Sequence, residues 1–139
     1  MLTYKYHLRQ IEDAAEWLLY QLKDKRILLL EGDMGSGKTS LTTALMRKLG
    51  ALDPTSSPTY AIVNEYLTSN STFPLVYHMD LYRIKRQEEL EALPLTDYLD
   101  SNALCIIEWP ELAKPYIDDD YLEVHLHLET DNQRILVIL

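Results

Sequence analysis

The segment Gly32-Asp-Met-Gly-Ser-Gly-Lys-Thr39 fits the pattern G-x-x-x-x-G-K-[ST] without a mismatch. Such a pattern constrains a chain more than any composition does. The backbone must wrap round phosphate oxygens with its N–H groups turned inward, and glycine permits both the torsions and the close approach. A helix starting at Lys38 adds its unpaired N–H groups and the positive end of its dipole. Lys38 is placed to reach β- and γ-phosphates, and the Thr39 hydroxyl to ligate magnesium. Only four glycines occur in the chain, and Gly32, Gly35 and Gly37 are among them. The flanks agree: Ile27-Leu-Leu-Leu30 reads as a buried strand, and Leu41, Ala44, Leu45 and Leu49 mark an amphipathic helix stopped by Gly50. ATP and magnesium are therefore the expected ligands. The expected nucleotide contacts are Gly32, Asp33, Met34, Gly35, Ser36, Gly37, Lys38, Thr39 and Ser40.

The remaining sequence frames that cradle. A length of 139 residues suits one domain, taken as 1–139, with an apolar share of 47% and a charged share of 25%. No apolar run approaches the roughly eighteen residues of a membrane span, and Met1-Leu-Thr-Tyr-Lys-Tyr-His7 lacks the core of a signal peptide. The single cysteine, Cys105, lies in an apolar run and reads as a small core residue. These features lead to a cytoplasmic expectation. A net charge of −9 argues against a chain that grips DNA or RNA backbones by itself.

Along the chain, residues 3–8 read as a short strand. Ile11, Ala14, Ala15, Leu18, Leu19 and Leu22 form a helical stripe. Residues 53–59 read as a loop. Strands are expected over 60–67 and 74–79, joined by a polar turn at Thr68–Thr72, and a short helix over Glu88–Leu93 ended by Pro94. Leu104-Cys-Ile-Ile107 reads as another buried strand. Residues 121–128 alternate and pair through Glu129–Gln133 with Ile135–Leu139 as a hairpin. The fold expected is a three-layer α/β domain of P-loop NTPase type. Its small mixed sheet is parallel at the centre, with an antiparallel C-terminal hairpin.

A P-loop NTPase also needs an acid at a strand tip near the cradle. Leu75-Val-Tyr-His-Met79 leads to Asp80, and Leu104–Ile107 leads to Glu108. Spacing does not decide which carboxylate touches the metal. His78 reads as a satisfied histidine on a sheet, with a ligand or switch role as the alternative. His125 and His127 are placed on the solvent side, and zinc there is disfavoured because no cysteine or third histidine accompanies them. Arg83, Lys85 and Arg86 read as a solvated face or partner contact, an arginine finger being the sharper alternative. Trp109 is either core or a lid over the nucleotide.

Four motifs in this order resemble one family: the cradle, Ser-Pro-Thr-Tyr at 57–60, His-Met-Asp-Leu-Tyr-Arg at 78–83 and Ile-Glu-Trp-Pro-Glu at 107–111. Together they resemble TsaE, the bacterial ATPase of tRNA threonylcarbamoyladenosine synthesis, over nearly the whole chain. The resemblance implies catalytic roles for Lys38, Asp80 and Glu108. It implies magnesium on Thr39 and Glu108, with Asp80 orienting water or holding the metal through water. It also places Trp109 at the nucleotide and makes Ser57–Tyr60 a switch-like loop. The implied partner is a TsaB–TsaD complex, with tRNA reached only through it, and no membrane or DNA. Met34 stands where leucine is usual, a tolerated apolar swap. Two rivals remain. A small-molecule kinase needs a lid of cations, for which Arg83, Lys85, Arg86, Lys114 and Arg134 are the candidates. A non-enzymatic switch would bind ATP and a partner without turnover.

Overall fold

The computed structural model describes residues 1–52, 62–118 and 120–139. Its seven strands are β1 (Leu2–His7), β2 (Ile27–Glu31), β3 (Val63–Leu67), β4 (Leu75–Asp80), β5 (Leu104–Glu108), β6 (Leu122–Thr130) and β7 (Gln133–Ile138). They form one sheet in the order β1-β7-β6-β2-β5-β4-β3. β2 pairs in parallel with β5 and β6, and β4 pairs in parallel with β5. Both edges are antiparallel: β3 on β4, and β7 with β1 beyond β6. The C-terminal hairpin is the expected one. That β1 closes the far edge against β7 was not legible from the loose alternation at residues 3–8.

Parallel central strands need cover on both faces, because no face of them can meet water without exposing apolar side chains. Four helices supply much of that cover: α1 (Ile11–Leu22), α2 (Lys38–Leu49), α3 (Gln87–Glu91) and α4 (Leu95–Leu99). One core joins Leu28, Leu30 and Val124 to Ala14, Leu18, Leu41 and Leu45 of α1 and α2. The other joins Leu29, Met79, Cys105 and Ile107 to Leu90 and Leu95 of the short helices. Alternate residues of β2 thus serve opposite layers, as period-two geometry requires. Each such buried leucine is worth about 1.5–3 kcal/mol of transfer free energy.

Three local readings change. The short helix is α3, over Gln87–Glu91, not Glu88–Leu93. Pro94 does not simply end it, but serves as the N-cap of α4, a five-residue helix too short to show a periodic stripe in sequence. A 3-10 turn, Leu8–Gln10, links β1 to α1; the His7 ring accepts from the Arg9 N–H, and the Gln10 side chain accepts from the His7 N–H. Cys105 is buried as expected. Burial pushes its thiol up to about 12, so it stays a neutral packing group.

Candidate nucleotide site

β2, β4 and β5 run in parallel, so their C-terminal ends open on one edge of the sheet, where open α/β folds bind ligands. The register aligns Leu30 with Glu108 and Glu108 with Asp80. Immediately after β2 the chain turns through the glycine motif into α2. Gly37 is the N-cap of α2 at φ 102, and Gly35 lies at φ 77, torsions that side-chain-bearing residues rarely adopt. Gly32 is needed for a different reason: a Cβ there would stand 2.6 Å from Ser36 Oγ and 2.7 Å from the Leu126 carbonyl.

A cavity of about 430 Å³ opens between these ends. Its lining includes Asp33, Met34, Gly35, Gly37, Lys38, Thr39, Ser40, Asp80, Glu108 and Trp109 from the sequence reading, and adds Leu8, Tyr82 and Arg134. Gly32 and Ser36 are not part of that lining, and Ser36 is buried. The switch segment expected at Ser57–Tyr60 and the loop at 53–59 lie outside the described residues.

Lys38 is 6% exposed, and its Nζ donates to the carbonyls of Gly32 and Asp33. The same ammonium stands 4.2 Å from the centre of the Trp109 ring. Burial lowers its pKa, and the carboxylates of Glu108, Asp80, Asp33 and Glu111 pull in the opposite direction. Trp109 is half-buried: it packs against the second core and against Tyr82 at 5.0 Å, and it also lines the cavity, so both sequence readings have a contact behind them. Its φ of 55° is unusual for a bulky residue and stores strain of about 1–3 kcal/mol, the kind of outlier that clusters at functional sites.

The two acids differ. Glu108 is 2% exposed, and His78 Nε2 lies 2.6 Å from its Oε2. Asp80 is exposed, and its Oδ1 accepts the Tyr82 N–H at 3.1 Å. His78 is therefore satisfied, but by the acid on the neighbouring strand, a contact that sequence spacing could not show. Arg83 and Arg86 are exposed, Arg86 Nε lying 3.6 Å from Glu89, and Lys85 stands over Tyr82. That exposure fits a solvated face and a partner contact alike.

His125 is not simply on the solvent side. It is half-buried, with Nε2 2.6 Å from Glu31 and 2.8 Å from Glu123, while Lys114 Nζ lies 3.5 Å and 3.1 Å from the same two acids. Counting only cysteine and histidine missed this grouping of Glu31, Glu123 and His125. Lys114 already balances charge there: its pKa is raised by the two carboxylates against the effect of burial, and that of Glu123 is lowered by His125 and Lys114 against the same effect. The network ties Glu31, the residue before the cradle, to β6. His127 is exposed.

Arg134 is the site residue that the sequence reading underrated. It lies on β7 in phase with Leu136 and Ile138, both buried, and is itself 8% exposed. The sequence offered little signal: residues 135–139 are apolar without a break, and only the burial pattern of the strand shows that position 134 faces inward.

Comparison with known proteins agrees with this geometry. A family model described as threonylcarbamoyl adenosine biosynthesis protein TsaE matches residues 6–136. The chain is 36% identical over 132 residues to the tRNA threonylcarbamoyladenosine biosynthesis protein TsaE of Haemophilus influenzae, covering 94% of this chain and 82% of that one. To the protein of the same name from Borreliella burgdorferi it is 42% identical over 115 residues, covering 82% and 81%. The crystal structure of YdiB from Bacillus subtilis matches with a TM-score of 0.72 at 25% identity, over 99% of this chain and 83% of that one.

Proposed function

Because the chain belongs to the TsaE family of threonylcarbamoyl adenosine biosynthesis proteins, we propose that it is a cytoplasmic ATPase whose turnover supports a TsaB–TsaD-type complex in tRNA modification. The observation that carries the ATPase reading is the pairing of Asp80 with Glu108 at the strand ends beside the glycine cradle.

The residues present fit a magnesium–triphosphate. The cavity sets the Thr39 hydroxyl and the Asp80 and Glu108 carboxylates against the cations of Lys38 and Arg134. An anion alone would be repelled by those acids, and a cation alone by those bases; a metal–phosphate pair suits both. Thr39 and Glu108 are the residues to hold magnesium, with Asp80 beside them. Magnesium bound there neutralises charge on phosphate oxygens as a Lewis acid.

The chain's own groups do the rest. The N–H groups at the start of α2 hold phosphate oxygens, aided by the helix dipole. Lys38 offers its ammonium to the β- and γ-phosphates. Asp80, exposed to solvent, is the group free to orient a water. His78 holds one oxygen of Glu108 in place. The described cations near the cavity form no kinase-like lid, which disfavours a small-molecule phosphotransferase.

The test is phosphate release without any added acceptor, with and without a TsaB–TsaD complex, alongside binding to that complex in ATP and in ADP. Slow release alone, faster release in the complex and stronger binding in ATP are expected. Equal binding in both nucleotides with an unchanged rate would remove the coupled-ATPase reading.

A further inference from the structure

We infer that Arg134 is a positioning residue for the phosphate cradle, holding the Ser36–Gly37 peptide and lending the site a second buried positive charge. The inference rests on the nucleotide-binding reading above and deepens it.

Arg134 comes from the C-terminal hairpin, yet its Nε donates to the Ser36 carbonyl at 2.9 Å. Its Nη1 donates to the carbonyls of Thr130, Asp131 and Gln133 at 3.0–3.2 Å, so one guanidinium joins the P-loop to the hairpin turn. A trans peptide is planar, with its C=O and N–H directed oppositely. Fixing the Ser36 carbonyl toward Arg134 therefore turns the Gly37 N–H away from the hairpin and holds it there. The φ of 102° at Gly37 is what calls for glycine there; a Cβ would only touch Arg134 Nε, at 3.4 Å.

The charge points the same way. Arg134 is buried and lines the cavity, and among the described residues no carboxylate lies within ion-pair distance of it. Carbonyls satisfy its Nε and Nη1 hydrogens without neutralising its charge. A buried cation without a counter-ion is unfavourable unless an anion completes it. The anion this cavity would take is a phosphate on the Gly37 side.

The experiment compares the parent with Arg134→Lys and Arg134→Met as full-length chains. Thermal unfolding is measured beside isothermal titration with ADP and with ATP, each with magnesium and with a chelator. Lysine keeps the charge but cannot bridge the P-loop and the turn as a fork does. Folded variants should lose at least about tenfold in affinity, methionine more than lysine, by similar factors for ADP and ATP and in either metal condition. Folded variants with the parent's affinity would show that Arg134 merely pins the hairpin, and would overturn this inference alone. A parent that binds neither nucleotide overturns the functional reading as well. If neither variant folds, the Arg134 Nε–H resonance of the parent decides. It should shift and exchange more slowly on titration with ADP; an unmoved signal at saturation overturns the inference.

Discussion

Asp80 and Glu108 are register partners at the ends of adjacent parallel strands, yet Asp80 is exposed while Glu108 is buried against His78. Neighbouring carboxylates in such different surroundings are suited to different tasks.

Asp80→Asn and Glu108→Gln should each cut ATP hydrolysis by more than tenfold, a loss of more than about 1.4 kcal/mol of transition-state stabilisation. Glu108→Gln should also weaken magnesium-dependent nucleotide binding more than Asp80→Asn does. Phosphate release and titrations with and without magnesium separate the two effects. Parent-like turnover in both variants would refute the strand-end assignment.

Lys38→Met should abolish nucleotide binding and leave a folded chain. Its stability should then depend on pH in a particular direction. Burial lowers the folded-state pKa of Lys38. Between that value and the ordinary lysine value the unfolded chain binds more protons, so the parent's stability from this position rises with pH across the window. Below the window the burden of burying the charge is fully present. Urea unfolding at neutral pH and in the ordinary lysine range should show the stability difference moving in the parent's favour as pH rises. A constant difference would contradict the burial argument.

Trp109 should report nucleotide binding. The chain has two tryptophans, and Trp17 stacks on Tyr4 at 4.8 Å, half-buried against the core on the α1 side. A cation–π contact is worth about 0.5–2 kcal/mol, comparable to the strain held at the Trp109 backbone. Drawing the Lys38 ammonium toward phosphate should change the Trp109 emission. In Trp17→Phe the change should persist, and in Trp109→Phe it should vanish. The opposite result would place the nucleotide elsewhere.

The isolated chain should not bind tRNA tightly. With a net charge of −9 it has little to offer a phosphate backbone outside its cavity. A gel shift at physiological salt should show no submicromolar complex, and a salt-sensitive one would contradict the claim.

The cradle, its flanking elements and both strand-end acids were legible because each is local: a glycine pattern, an apolar run, an acid after a strand. What escaped was non-local or short. Helix α4 is five residues long, below one full apolar repeat. The His78–Glu108 contact requires knowing that β4 and β5 are neighbours. The grouping of Glu31, Glu123, His125 and Lys114 draws on three separate segments. Arg134 meets Ser36 only because β6 lies beside β2 and carries β7 with it.

That last contact spans 98 residues of sequence. At synthesis rates of about 5–20 residues per second, the glycine motif exists for on the order of five to twenty seconds before Arg134 is made. In that interval β2 still awaits β5 and β6, and the Ser36 carbonyl awaits its donor. Closing a loop of this length before its contacts form is entropically costly, and it slows folding. A nascent chain of this protein therefore emerges with its cradle motif well before the segment that supports that cradle.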